Sequence, residues 1–173
     1  MKLKMIALSA ALMTSATAGL SHAEAKTYAY DVACNTNSYS KQGEQQEDLT
    51  RQLGKPIRCD GLVISILDNG RTLFQFAEKK GNVSAIGFAG SEFDYDFNPN
   101  MVTVKLDSIY LPHPNSKSVP EKLSGIEGYC FIEGSANIRK LTALSCTAKI
   151  EIGTQRLVYT VEVRFIGVGK AIG

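Results

Sequence analysis

The chain has 173 residues, with 19 basic and 17 acidic side chains, no tryptophan, two histidines and four cysteines. Removing Lys2 and Lys4 with the leader argued next leaves 17 basic against 17 acidic residues, a formally neutral protein. Neutrality excludes phosphate-backbone binding as the main task, which needs a clustered excess of Lys and Arg.

Lys2 and Lys4 precede an apolar run over 5–12, and a small, weakly polar stretch then ends at Ser21-His22-Ala23. This order reads as a secretory signal peptide over 1–23, cut after Ala23. The run is far shorter than the roughly 20 apolar residues of a membrane-spanning helix. Residues 24–173 are therefore expected to form a single disulfide-bonded β domain in the periplasm or secreted. About 150 residues suffice for a core. Cys34, Cys59, Cys130 and Cys146 all follow the leader. An even count in an exported chain favours bridges, and Cys34–Cys59 with Cys130–Cys146 close the local loops. No C-x-x-C spacing supports zinc.

Residues 27–34 alternate as a strand, with Tyr28, Tyr30 and Val32 on one side. Residues 35–55 are polar and read as a loop with one short surface helix, stopped by Gly54 and Pro56 and pinned by Cys34–Cys59. Residues 62–77 form a hairpin. Asp68-Asn69-Gly70 is its three-residue loop, with Gly70 in the left-handed position and Leu67 opposite Arg71. Ile64 then faces Phe74, and Leu62 faces Phe76.

A separate strand covers 83–89, with Ile86 and Phe88 inward. A third hairpin covers 91–110 around a four-residue loop, Asn98-Pro99-Asn100-Met101. That loop puts Phe93, Tyr95 and Phe97 on the same face as Val102, Val104 and Leu106. The stretch 111–125, with Pro112, Pro114 and Pro120, reads as a long surface loop, a common place for function. A strand over 126–133 carries Cys130. Opposing Cys130 to Cys146 leaves Tyr129 and Phe131 on the outer face beside Ser145 and Thr147.

The cleanest alternation runs over 141–166. Leu144, Cys146, Ala148, Ile150 and Ile152 share a face, and so do Leu157, Tyr159, Val161, Val163 and Phe165. A Gly153-Thr154 loop of type II′ aligns both faces and sets Cys146 opposite Val161. The sum is an all-β antiparallel sandwich or small barrel of about eight strands. An outer-membrane barrel would want lipid-facing apolar sets and aromatic girdles. Here the polar faces carry charges and the cysteines lie on core faces.

His113 is the one histidine beyond the leader. Between Pro112 and Pro114, it sits in a stiff loop suited to insertion into a partner's cleft at little ordering cost. Without a G-x-S-x-G motif or a spare thiol, it lacks a nucleophile to activate. Asp94, Asp96, Asn98 and Asn100 alternate like calcium ligands, but Pro99 stands where the loop needs Gly and Lys105 where it needs Glu. Glu92, Asp94, Asp96 and Asp107 could pair as glycosidase acids, though carboxylates alternating along an exposed strand are common. Tyr129 and Phe131, if exposed, would anchor an interface. The competing expectation is that the N-terminal strand or the helix within 35–55 covers them, since small sandwiches often bury parts of both faces of a sheet.

Ser124-Gly125-Ile126-Glu127-Gly128-Tyr129 resembles the Ser-Gly-x-x-Tyr loop of periplasmic lysozyme inhibitors, which are small, exported, disulfide-bonded β domains. The tyrosine stands one place late, and no family is assigned. The reading favoured by these features is an exported binding domain, not an enzyme, that recognises a protein or envelope component, enzyme inhibition included. Its binding residues would be His113, Pro112, Pro114, Tyr129 and Phe131. No cofactor, metal, nucleic acid or membrane insertion is expected. The alternatives are a ligand carrier or small hydrolase with a pocket between sheets or in a barrel mouth, and an envelope structural subunit.

Overall fold

The structure, a computed structural model, describes residues 26–44, 49, 53–78, 86–94, 101–112, 120–134, 140–166 and 169–172. Among the described residues, twelve strands run in chain order: β1 (Lys26–Cys34), β2 (Tyr39–Gly43), β3 (Lys55–Pro56), β4 (Gly61–Ile66), β5 (Thr72–Ala77), β6 (Ile86–Asp94), β7 (Met101–Leu111), β8 (Glu121–Ser124), β9 (Glu127–Gly134), β10 (Leu141–Ile152), β11 (Gln155–Phe165) and β12 (Lys170–Ile172). Eight of them, in the order β1-β4-β5-β6-β7-β9-β10-β11, close into an antiparallel barrel through β1 and β11. Between sandwich and barrel, the ring of pairings decides for the barrel. The expected leader, 1–23, lies outside the described residues. So does the short helix expected within 35–55, apart from Leu49.

The barrel is filled. Phe74, Phe76, Phe88, Leu62, Ile64, Ile109, Leu144, Val161 and Val163 are all buried. They come from alternate positions, so the residues between them face outward. Lys105, Glu127, Glu133, Lys149 and Arg164 stand exposed on those outward positions. An eight-stranded ring encloses a space that side chains can fill. Both disulfides belong to this interior packing. Cys130 and Cys146 are directly opposed and fully buried, with Cα atoms 4.0 Å apart. That is the close spacing of a non-hydrogen-bonded antiparallel pair. Cys34 bonds Cys59 at the far end of β1.

The hairpin registers follow turn chemistry. Gly153 has φ +61° and Gly70 has φ +78°, conformations that favour glycine. Ile150 pairs with Leu157 and Cys146 with Val161, while Ile64 pairs with Phe74 and Leu62 with Phe76.

Four expectations need correction. First, 35–55 is not only loop and helix. β2 pairs with β11 from Thr160↔Tyr39 to Arg156↔Gly43, and β3 pairs with β2. β1 and β2 thus act as one bent strand along β11. The break between them is bridged by Ser38: its hydroxyl donates to the Glu162 carbonyl and accepts from the Glu162 N–H, both at 3.0 Å. Second, β6 is continuous through Gly90, where a break had been expected. Bulges flank Gly90, and a Cβ there would collide with the Lys105 carbonyl. Third, Phe93 pairs with Val104 rather than Leu106, because Met101 opens β7 instead of closing the loop. A slip of two residues preserves the faces. Fourth, 111–125 is not wholly irregular. Leu111 ends β7, and β8 folds back on it with Leu111↔Glu121 and Ser108↔Ser124.

Candidate functional site

β9 lies between β7 and β10, so its outward side chains sit in the middle of a sheet. Cys130 and Ile132 point into the core, which forces Tyr129 and Phe131 outward. Tyr129 is 47% and Phe131 43% exposed. Their rings lie 6.3 Å apart with planes inclined by 29°. Tyr129 stands between Lys105 and Thr147, and Phe131 between Thr103 and Ser145. Small hydroxyl residues on three of the four flanking positions leave the rings uncovered. Neither the N-terminal strand nor any other described element lies over them.

Glycine controls this surface. A Cβ at Gly128 would collide with the Thr147 carbonyl, so the backbones of β9 and β10 approach closely just beside Tyr129. Beyond Thr147, its hydroxyl lies 3.4 Å from that of Thr160 on β11. Exposed Glu127, Glu133 and Lys149 rim the patch. An aromatic centre with a mixed-charge rim is the pattern of a recognition surface.

The other sequence candidates fall elsewhere. His113 and Pro114 lie outside the described residues. Pro112, which directly follows β7, is exposed. Asp96, Asn98 and Asn100 also lie outside them, so of the calcium-like run only Asp94, at the end of β6, has a described position. Among the described residues, no group of three or more His, Cys, Asp and Glu is placed to hold a metal. The Ser124–Tyr129 stretch is not a projecting loop. It is the end of β8, a kink at Gly125 with φ +73°, and the start of β9.

Asp107 has a structural partner that the sequence did not reveal. Arg71, just after the β4–β5 turn, grips both its oxygens at 2.6 and 2.7 Å, and the Ser108 hydroxyl donates to it at 2.7 Å. The hydrogen bond from Arg71, then that from Ser108, holds the Asp107 carboxyl below its ordinary range against the opposing effect of burial. A depressed carboxylate stabilises the fold above the unfolded value, about pH 4, and loses that contribution as pH falls through the folded value. Arg71→Met is therefore expected to be less stable than the parent at neutral pH, with the gap closing below about pH 4. Urea midpoints at several pH values check this; a gap that persists in acid would assign the loss to packing instead. Asp107 is 44% exposed, so screening keeps the effect small.

Two open clefts lie at the β10–β11 end. One, of about 360 Å³, includes Leu49, Glu127, Lys149, Glu151 and Arg156 in its lining. Its charges alternate, and Arg156 pairs with Glu151 at 3.0 Å. The other, of about 270 Å³, includes Ser40, Lys55, Leu157 and Tyr159. Sequence reasoning missed this second cleft because it missed β2 and β3. Burial, then the charge of Glu121, raises the Tyr159 pKa and keeps its hydroxyl protonated as a donor. Comparison of the chain with protein-family models, curated proteins and solved structures finds no match.

Proposed function

We propose that the mature chain is an exported, non-enzymatic binding domain that recognises a protein or envelope component through the outer face of β9. Two disulfides are compatible with an extracellular or periplasmic location, and the leader pattern adds the export step. The observation that carries the reading is the aromatic pair, Tyr129 and Phe131, left half-exposed on a rigid sheet. Rings held by a disulfide-fixed strand pair lose little freedom on binding, so more of the contact energy appears as affinity. The inward apolar and outward charged faces oppose the polarity of a membrane barrel and support a water-facing surface. Inhibition of a partner enzyme is one use of such a surface. Pro112, Pro114 and His113 would extend the contact from the end of β7.

Affinity capture from an envelope extract tests this, using the mature oxidised protein beside a Tyr129→Ser, Phe131→Ser double variant. The variant is expected to fold with stability close to the parent, within about 1 kcal/mol, because both side chains are surface groups. It should lose a partner that the parent retains. Equal recovery by both proteins, or turnover of a small substrate with no partner recovered, would sink the reading.

A further inference from the structure

The strands beyond the packed core build a second surface of different chemistry. On the face that continues the barrel's interior, Tyr159 of β11 pairs with Ser40 of β2, and Ser40 with Lys55 of β3. In the next row Leu157 pairs with Gln42, and Leu53 comes two residues before Lys55. Paired residues share a face, as do residues two apart along a strand. One row thus offers a phenol, a hydroxyl and an ammonium group, and the next an amide between two leucines. Together with Lys41 they line the cleft of about 270 Å³.

Two features show that this array is not simply the rim of the core. Leu157 and Tyr159 pack against buried residues, but Leu53 is 100% exposed. Lys41 is engaged, donating to the Leu49 carbonyl at 2.8 Å and lying over the Tyr39 ring. Lys55, in contrast, makes no ion pair or side-chain hydrogen bond among the described residues. A cation with no side-chain partner among the described residues therefore stands beside two hydroxyls and two partly or wholly bare leucines.

We propose that this cleft binds a short amphiphile with a singly charged anionic head, such as a medium-chain carboxylate. Lys55, Ser40 and Tyr159 take the head, and Leu157 and Leu53 take the chain. A carboxylate accepts several hydrogen bonds and gains most from charged donors. The leucines gain from covering apolar area that water now meets. The volume lies just under the roughly 300 Å³ of the smallest ordinary ligand pockets, which limits the chain to a short one. Glu121, whose charge acts on Tyr159, disfavours negative charge there in general and a doubly charged head most.

The test is a titration of the mature, oxidised, nitrogen-15-labelled protein with octanoate, octanol or octylamine, followed by amide shifts. Octanoate is expected to move the amides of residues 40–42 and 157–159 saturably, octanol more weakly, and octylamine not at all. Lys55→Gln, at an exposed site, should weaken octanoate at least tenfold. The Tyr129→Ser, Phe131→Ser variant should bind octanoate like the parent, which separates this proposal from the partner surface on β9. No saturable shift at those amides, equal binding by Lys55→Gln, or equal binding of octylamine would each overturn it.

Discussion

Replacing Cys130 and Cys146 together by alanine is expected to destabilise the oxidised protein by about 3 kcal/mol, the loop-entropy value for a bridge closing roughly fifteen residues. The two residues are 16 apart in sequence and both are fully buried, so the small cavities left behind add to the loss. For a protein of this size the melting temperature should fall by about 6–12 °C. Calorimetry of the parent and the double variant, both oxidised, measures it. A drop under about 1 kcal/mol would mean that the unfolded chain is already restrained there by other means. The bridge also sits directly between Tyr129 and Phe131 in sequence. Ile132 opposite Leu144 should keep the register without it, so the variant is expected to retain the aromatic face while losing stability.

Ser38→Ala is expected to cost about 2 kcal/mol, large for a deletion of a single oxygen. Ser38 is 1% exposed, so water does not replace what its hydroxyl provides. The Glu162 carbonyl keeps a second donor, the Asn35 N–H at 2.8 Å. The Glu162 N–H loses the Ser38 oxygen it donates to and is left unpaired in the break between β1 and β2. Orphaning a buried donor costs roughly 1–3 kcal/mol, more than the net worth of an ordinary hydrogen bond. Urea unfolding gives the value. Ser38→Thr, which keeps the hydroxyl, should recover part of it; a threonine variant as unstable as the alanine one would point to sterics rather than the hydrogen bond.

The strands that the sequence displays are those with a packed core behind them. Leu144, Cys146, Ala148 and Ile150 alternate with polar residues because one side meets the barrel interior. The exposure of Tyr129 and Phe131 could be read ahead for the same reason: the Cys130–Cys146 pairing set the parity of their strand. β2 escaped because its inward residues, Ser40 and Gln42, lie past the end of the core. A strand whose two faces both meet water has no period to detect. β8, with Glu121, Lys122 and Ser124, escaped likewise. At Gly90 the bulge breaks the alternation, so one strand reads as two. The Arg71–Asp107 pair and the Tyr159–Ser40–Lys55 row join residues distant in the chain. Each depends on how strands are ordered around the ring, which local pattern does not encode.

That order has a kinetic side. Most neighbours in the ring follow each other closely along the chain, so their ladders can form as short loops close. The exception is the ring's last joint, Val32↔Phe165 through Cys34↔Val163, which waits for nearly the whole chain. Loop-closure entropy makes such long-range pairing slow. Until β11 arrives, β1 and β10 present open edges, the kind of surface on which unfinished β proteins aggregate. During synthesis, where the N-terminal end emerges first, the fold must therefore pass through an unclosed sheet. Late truncations that remove β11 should accumulate in that state as insoluble protein, while the same chain with β11 restored closes and remains in solution.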